Sequence, residues 1–304
     1  MKFELTILGA SSATPTSNRN PSAQVLNVLE RFFLIDCGEG TQMQLRKFKI
    51  KFQRINHIFI SHLHGDHYFG LMGLLSSMHL LGRQNELHLY APEPLKEIID
   101  IQLKYSETYL NFPLIFHPLN FQSKTLLFED DLVKVSSFPL YHRIPTCGFL
   151  FEEKAKAKSI IKEKIKQYEL GVADIQSIRL GNDFVTKEGI IIPNSELTYP
   201  EANLRKYAYC SDTRYNEKLL EYVAEVDLLY HEATFMHQLL DRAEATFHTT
   251  AKEAGIFASK AKAKQLIIGH FSARYPDLDV LLNEALAEFS NTFLAQEGQS
   301  FLIE

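Results

Sequence analysis

Hydrophobic positions in this chain fall mostly into short runs of β-branched and aromatic residues. FELTIL, AQVLNVL, RFFLID, HIFIS, ELHLYA, LIFHPL, VKVSSFPL, TCGFLFEE, KYAYCS, DLLYHEA, QLIIGH and TFLAQEG each have the length and residue types of a strand. Between them, residues 66–80, 93–106, 215–225, 249–263 and 278–290 carry apolar residues at helical spacing. The early strands follow one another through short turns, whereas the later ones alternate with helices. The pattern predicts an α/β (α+β) layered fold, with mixed sheets covered by helices rather than one doubly wound parallel sheet.

One segment breaks the pattern. In KAKAKSIIKEKIKQYELG, residues Lys154, Lys156, Lys158, Lys162, Lys164 and Lys166 crowd together, and Ile160, Ile161, Ile165 and Tyr168 suit one stripe of a helix. It reads as a basic insertion between two strands rather than as core. Such a run is either a solvated amphipathic helix or an arm that binds a polyanion.

Composition narrows the class. The 304 residues are 45% hydrophobic and 23% charged, as in an ordinary globular enzyme. No apolar run is long enough to span a bilayer, and MKFELTILGASSATP reads as a first strand rather than a signal peptide, so a cytoplasmic location is expected. Cys37, Cys147 and Cys210 form no C-x-x-C pair and lie in or beside apolar segments, as small buried residues do. A net charge of −5 gives no general affinity for nucleic acid, so a nucleic-acid partner must be met by a local basic patch.

The densest chemistry lies in SHLHGDH, residues 61–67. His62 and His64, two apart on an extended backbone, point to the same side. Asp66 stands where a helix would start, as a candidate N-cap. Strand-to-helix turns of this kind place side chains at the end of a sheet, and neutral imidazole with carboxylate suits Zn²⁺. Later strand ends supply the remaining donors: His142 in PLYHRIP, Asp212 in YCSDTRY, His231 and Glu232 in LLYHEAT, and His270 in LIIGHFS. His62, His64, His142 and a bridging Asp212 complete one site. Asp66, His67, His270 and the same Asp212 complete a second. Such a two-ion site is suited to hydrolysis. His57, His79, His88, His117 and His237 are read as structural.

These motifs resemble the metallo-β-lactamase superfamily, whose hallmark is H-x-H-x-D-H, and more narrowly its ribonuclease Z family in the short form. ILGASSATPTSNRNPSA, LIDCGEGTQMQL, ISHLHGDHYFGLMGLL, YHRIPTCGF, YCSDTRY, HEATF, HTTAKEAG and IGHFSARY carry the resemblance over nearly the whole chain. It implies a four-layer αβ/βα sandwich spanning residues 1–304, with an inserted tRNA-gripping arm at residues 152–186. It also implies a homodimer, two Zn²⁺ per subunit with Mn²⁺ as the alternative, and hydrolytic removal of the 3′ trailer from precursor tRNA after the discriminator nucleotide. On the same ground Asp66 orients or deprotonates the attacking water, His248 protonates the leaving 3′-oxygen, and Glu232 orients His248. Arg274 is a candidate phosphate contact, because guanidinium matches phosphate geometry; His231 is sent the other way by alternation.

Two departures bear on the family pattern. YELGVADIQSIRLG lacks the Gly-Pro of the family's arm. Pro15-Thr16-Ser17-Asn18-Arg19-Asn20 has serine where the family's P-x-K-x-R-N has lysine, which bears on how a mature CCA end is handled. The competing enzyme class is a phosphodiesterase of the same fold acting on small phosphodiesters or cyclic nucleotides, for which a long basic arm has no use. A non-catalytic RNA-binding homologue would be expected to have lost donors that this chain keeps.

Overall fold

The computed structural model describes residues 2–155, 157–200 and 203–304; Lys156, one of the lysines singled out above, lies outside the described residues. The strands are β1 (Phe3–Gly9), β2 (Ala23–Val28), β3 (Arg31–Cys37), β4 (Ile55–Phe59), β5 (Leu87–Ala91), β6 (Leu114–Pro118), β7 (Thr125–Glu129), β8 (Val133–Pro139), β9 (Cys147–Glu153), β10 (Phe184–Val185), β11 (Ile191–Ile192), β12 (Lys206–Cys210), β13 (Leu228–Glu232), β14 (Gln265–Gly269), β15 (Thr292–Leu294) and β16 (Ser300–Leu302). The α-helices are α1 (Thr41–Lys47), α2 (Gly65–Tyr68), α3 (Leu71–Leu80), α4 (Pro94–Tyr105), α5 (Lys162–Gln167), α6 (Val172–Arg179), α7 (Asn194–Leu197), α8 (Leu220–Val223), α9 (Leu240–Thr246), α10 (Ala251–Ala261) and α11 (Asp279–Glu288).

Two compact units result. The larger comprises residues up to Glu129, Val133–Glu152 and Arg205–Glu304. Its first sheet has the order β16-β1-β2-β3-β4-β5-β6 and its second the order β15-β14-β13-β12-β9-β8-β7. Both sheets are mixed. In the first, β16, β1, β2 and β3 pair antiparallel, and β3, β4, β5 and β6 pair parallel. In the second, β12 to β15 run parallel, while β12 meets β9 antiparallel and β7 meets β8 antiparallel.

The sheets pack face to face through aromatic side chains projecting from alternate strand positions. Phe33 meets Phe151 and Phe59 meets Phe149, each pair with ring centroids 5.4 Å apart, and Tyr207, Tyr209 and Tyr230 complete a fully buried layer. On its other face the first sheet packs Leu34, Ile58 and Leu89 against Leu71, Leu74, Leu75 and Met78 of α3 and Leu95 and Ile99 of α4. Helix α10 buries Ala254, Phe257, Ala258 and Ala261, and the ring of His231 from β13 lies against Phe257 at 5.0 Å. Helix, sheet, sheet and helix therefore form four layers, as expected. All three cysteines are free and buried.

The smaller unit comprises Glu153–Leu204 with Asp130–Leu132. It has its own apolar centre, where Leu170, Ile178 and Leu197 gather Ile160, Ile165, Tyr168 and Phe184. The expected helical stripe is only partly helical: α5 begins at Lys162, and Ile160 instead bridges Thr198 in an extended segment. Residues 153–204 contain eight lysines and arginines against eight acidic residues, so the positive charge belongs to the leading stretch and not to the unit as a whole.

Candidate metal centre

The strands whose C-terminal ends share one edge of the larger unit deliver its polar side chains there. Beyond β4 the chain is still extended at His64 before turning into α2. Asp66 is not the N-cap of that helix. His64 occupies the cap position and makes no side-chain cap bond, while Asp66 lies within the first turn. Its carboxylate is turned to the sheet edge, where Oδ2 accepts the backbone N–H of Ala13 at 2.7 Å. The helix expected over 66–80 is in fact two, α2 and α3, separated at Gly70. A Cβ there would stand 2.1 Å from the carbonyl oxygen of Gly38, and the Gly70 N–H donates to the carbonyl of Cys37 at 2.9 Å. This close approach locks the histidine turn onto the end of β3.

Seven side chains converge in two groups. His62 Nε2 and His142 Nε2 lie 3.1 and 3.2 Å from His64 Nδ1, and 3.6 and 3.8 Å from Asp212 Oδ2. In the second group His67 Nε2 and His270 Nε2 are 3.4 Å apart. They lie 3.5 and 3.3 Å from Asp66 Oδ2, and 3.3 and 3.1 Å from Asp212 Oδ1. Asp212, 2% exposed, offers one oxygen to each group.

The ring nitrogens facing away from each group are occupied. His67 Nδ1–H donates to Asp36 Oδ2 at 2.7 Å, His142 Nδ1–H to the Phe247 carbonyl at 3.0 Å, His270 Nδ1–H to Thr234 Oγ1 at 3.0 Å, and His62 Nδ1–H to Ser61 Oγ at 3.0 Å. With those protons placed, each Nε2 carries a lone pair aimed at other lone pairs and at carboxylate oxygen. Four donors about 2.0–2.1 Å from one tetrahedral ion stand roughly 3.3 Å apart, which is the spacing here. The residues fit two divalent cations, and without them such donors would repel. Burial lowers the pKa values of His62 and His142, with the neighbouring His67 adding to the effect on His62. Both favour the neutral imidazole that ligates metal. Burial alone would raise Asp66 and Asp212, but the positive charge that His67 and His270 carry when protonated, a charge that bound cations would supply in their place, holds both carboxyls below the ordinary range, ionised.

Asp36 was not singled out from the sequence. Fully buried in β3, it accepts the Ser61 N–H at 2.8 Å, Ser61 Oγ–H at 3.0 Å and Tyr209 O–H at 2.6 Å as well as His67. Its φ of 55°, with those of Ala13 (59°), Phe247 (61°) and His270 (58°), puts four non-glycine residues around the centre in the left-handed region. Each costs on the order of 1–3 kcal/mol and persists where surrounding contacts enforce it. Asp36 carries no spacing signal, because it sits in the apolar run RFFLIDC and reads as the end of a strand.

Glu232 and His248 stand beside these groups, within possible ligating distance of Asp212 and His270. Both Glu232 oxygens are already committed. Oε1 accepts Thr213 N–H at 2.7 Å and His248 Nδ1–H at 2.9 Å; Oε2 accepts Thr234 Oγ1–H at 2.6 Å and Thr249 N–H at 3.1 Å. His248 is left with Nε2. Burial alone would lower its pKa, but the charge and hydrogen bond of Glu232 outweigh burial and raise it to about 9. Glu232 thereby favours the protonated ring, the form that can donate a proton.

An open cavity of about 230 Å³ leads to the centre, lined by His64, Asp66, Asp212, His248, His270 and Arg143. A second of about 230 Å³ continues from it, sharing Arg143 and His248 and adding Phe235, Arg242 and Arg274. Of the residues expected to touch substrate, Arg274 is therefore beside the centre. Lys154, Lys158, Lys162, Lys164 and Lys166 belong to the smaller unit.

The molecule has clear relatives. A family model described as "Anti-Pycsar protein Apyc1" matches residues 3–154. Ribonuclease Z of Bacteroides thetaiotaomicron is 51% identical over 302 residues, covering 99% of this chain and 96% of that protein. Ribonuclease Z of Bacteroides fragilis is 50% identical over 297 residues, covering 98% of each. Among solved structures, human tRNase Z, short form, superposes with a TM-score of 0.72 at 30% identity, covering 99% of each chain. The chain belongs to the ribonuclease Z family and has its metallo-β-lactamase fold.

Proposed function

We propose that this protein is a metal-dependent endoribonuclease that cuts precursor tRNA after the discriminator nucleotide, leaving a 3′-hydroxyl on the tRNA and the phosphate on the trailer. The observation that carries this reading is the 2.9 Å hydrogen bond from His248 Nδ1–H to Glu232, which leaves His248 Nε2 free at the mouth of two donor groups that share Asp212. His62, His64, His142 and Asp212 would hold one ion, and Asp66, His67, His270 and Asp212 the other. The thiolate-free imidazole and carboxylate set favours Zn²⁺, with Mn²⁺ as the alternative. When bound, two such ions supply positive charge for the phosphoryl oxygens and lower the pKa of water. Asp66, ionised and fixed by Ala13 N–H, orients the water and takes its proton. Hydrolysis forms a P–O bond to that water and breaks the bond to the 3′-oxygen. His248 Nε2–H supplies the proton that the leaving oxygen needs, and Glu232 stabilises the cation and aims the ring.

The lysine-rich start of the smaller unit, Lys154 to Lys166, supplies charge for the RNA backbone in this reading. A homodimer fits the larger unit, where Phe69, Leu80, Tyr105 and Tyr109 are 65–85% exposed along α3, α4 and the segments beside them. Among the described residues no helix is long and apolar enough to cross a membrane; the reading places the enzyme in the cytoplasm with its substrate. The test is a cleavage map of a 3′-extended precursor tRNA, with and without CCA and with and without chelator. A chelator-sensitive cut at the discriminator is expected, and the CCA arm reports the consequence of Ser17. Hydrolysis of small phosphodiesters with neither precursor cut would transfer the site to the small-ester reading.

A further inference from the structure

The cavity beyond His248 has no part in holding metal, yet it concentrates positive charge. Arg143, Arg242 and Arg274 all line it, all three are exposed, and none has an ion-pair partner among the described residues. Arg242 and Arg274 lie over the same phenyl ring, with guanidinium carbons 5.9 and 5.1 Å from the Phe235 centroid. Phe235 itself is 5% exposed, so the ring is a fixed platform. Arg274 is further steadied by donating Nε–H to Ser272 Oγ at 3.1 Å. Two like charges drawn to one ring, with a third in the same cavity and no carboxylate among the lining side chains, form a receptor for an anion. Guanidinium forks match phosphate oxygens in particular.

Position assigns the anion. His248 belongs to both cavities, whereas Asp66, Asp212 and His270 line only the one over the donor groups. In the hydrolase reading the leaving 3′-oxygen faces His248, which stands between the two cavities. The nucleotide that owns that oxygen therefore extends to the far side of His248. We propose that the Arg143–Arg242–Arg274 cavity is the subsite for the nucleotide whose 3′-oxygen leaves, and that its arginines bind that nucleotide's own 5′-phosphate. The scissile phosphate lies over the donor groups, and the next phosphate on the tRNA side lies in the arginine cavity. This rests on the hydrolase reading above for its direction, but it makes a binding claim that does not need turnover.

The probe is a pair of nucleotides, adenosine 3′,5′-bisphosphate and adenosine 3′-monophosphate, binding to the zinc-loaded protein by calorimetry. The 3′-phosphate is common to both and occupies the donor groups, so the affinity ratio isolates the 5′-phosphate. The bisphosphate is expected to bind at least tenfold tighter. In Arg242→Ala and in Arg274→Ala, whose side chains line only the second cavity, that ratio should fall to within about twofold of unity, while the affinity of the monophosphate holds. Arg242 is on the exposed face of α9, where alanine is a good helix former, and unchanged melting curves would verify the fold. Equal affinities in the parent protein, or a ratio that survives both substitutions, would overturn the assignment. If the protein cut no precursor tRNA yet showed the arginine-dependent ratio, the function would fail and the subsite would stand.

Discussion

Asp36 shows how a residue far from any substrate can decide what the centre binds. Its carboxylate accepts four hydrogen bonds, and the one from His67 Nδ1 fixes the tautomer that turns Nε2 toward Asp66, His270 and Asp212. Asp36→Asn keeps the shape but offers an amide in place of one acceptor oxygen. The second group should lose about 10–100-fold in metal affinity, the usual cost of removing such a support. Titration against a competing chelator checks this, and an unchanged affinity would show that His67 is oriented by packing alone. His248 and Asp66 separate by the same measurement. Asp66→Ala should abolish cleavage and weaken the second group. His248→Ala should slow cleavage about 10²–10⁴-fold, the range for a missing general acid, with full metal content; metal loss instead would make it a ligand. The seven clustered donors were legible in the sequence because imidazole and aspartate recur at strand ends. Asp36 and Thr234 were not, because each acts through a hydrogen bond that spacing does not encode.

At the scale of elements, regular strands were read well and the irregular joins poorly. The β2–β3 hairpin turns on Leu29 and Glu30, with φ of 51° and 71°, residues that give no turn signal. There Asn27 Oδ1 accepts the Glu30 N–H at 2.9 Å, substituting for the glycine a reader would look for. Strands β7 and β16 also escaped: β7 is short and half-buried, and β16 is three residues long at a sheet edge, where its strand partner is β1. In the smaller unit, apolar spacing suggested a helix through Ile160, but bridge formation with Thr198 wins there and helix begins at Lys162. The lysines after that point lie within α5. Lys162 and Lys166 are exposed, and Lys164 lies over the Tyr168 ring at 5.6 Å. Replacing all three by alanine should preserve the helix and raise KM for precursor tRNA, with little change in kcat. It should also flatten the salt dependence of binding by about 0.7–0.9 in log–log slope for each phosphate that is no longer neutralised. A slope equal to that of the parent would show that these lysines do not touch the RNA.

At the scale of the molecule, the centre joins the two sheets. Asp36, His62, His64, Asp66 and His67 come from β3 and the turn after β4 in the first sheet; His142, Asp212 and His270 come from the ends of β8, β12 and β14 in the second. Each donor group takes ligands from both, and Asp212 joins the groups. A cation bound in either group therefore exists only when the sheets are packed, so its binding energy adds to the stability of the folded chain. With free metal at 100 times its dissociation constant, one site contributes about 2.7 kcal/mol. Unfolding entropy scales with chain length, so that energy corresponds to about 4 °C in Tm for a chain of this size. Chelation should lower Tm by at least this amount, and adding zinc back should restore it. Asp212→Asn, which weakens the only ligand common to both groups, should make the melting point nearly insensitive to zinc. A parent protein whose Tm ignored chelator and zinc alike would mean that the sheets are held by their aromatic layer alone, with the donor groups contributing to chemistry but not to the fold.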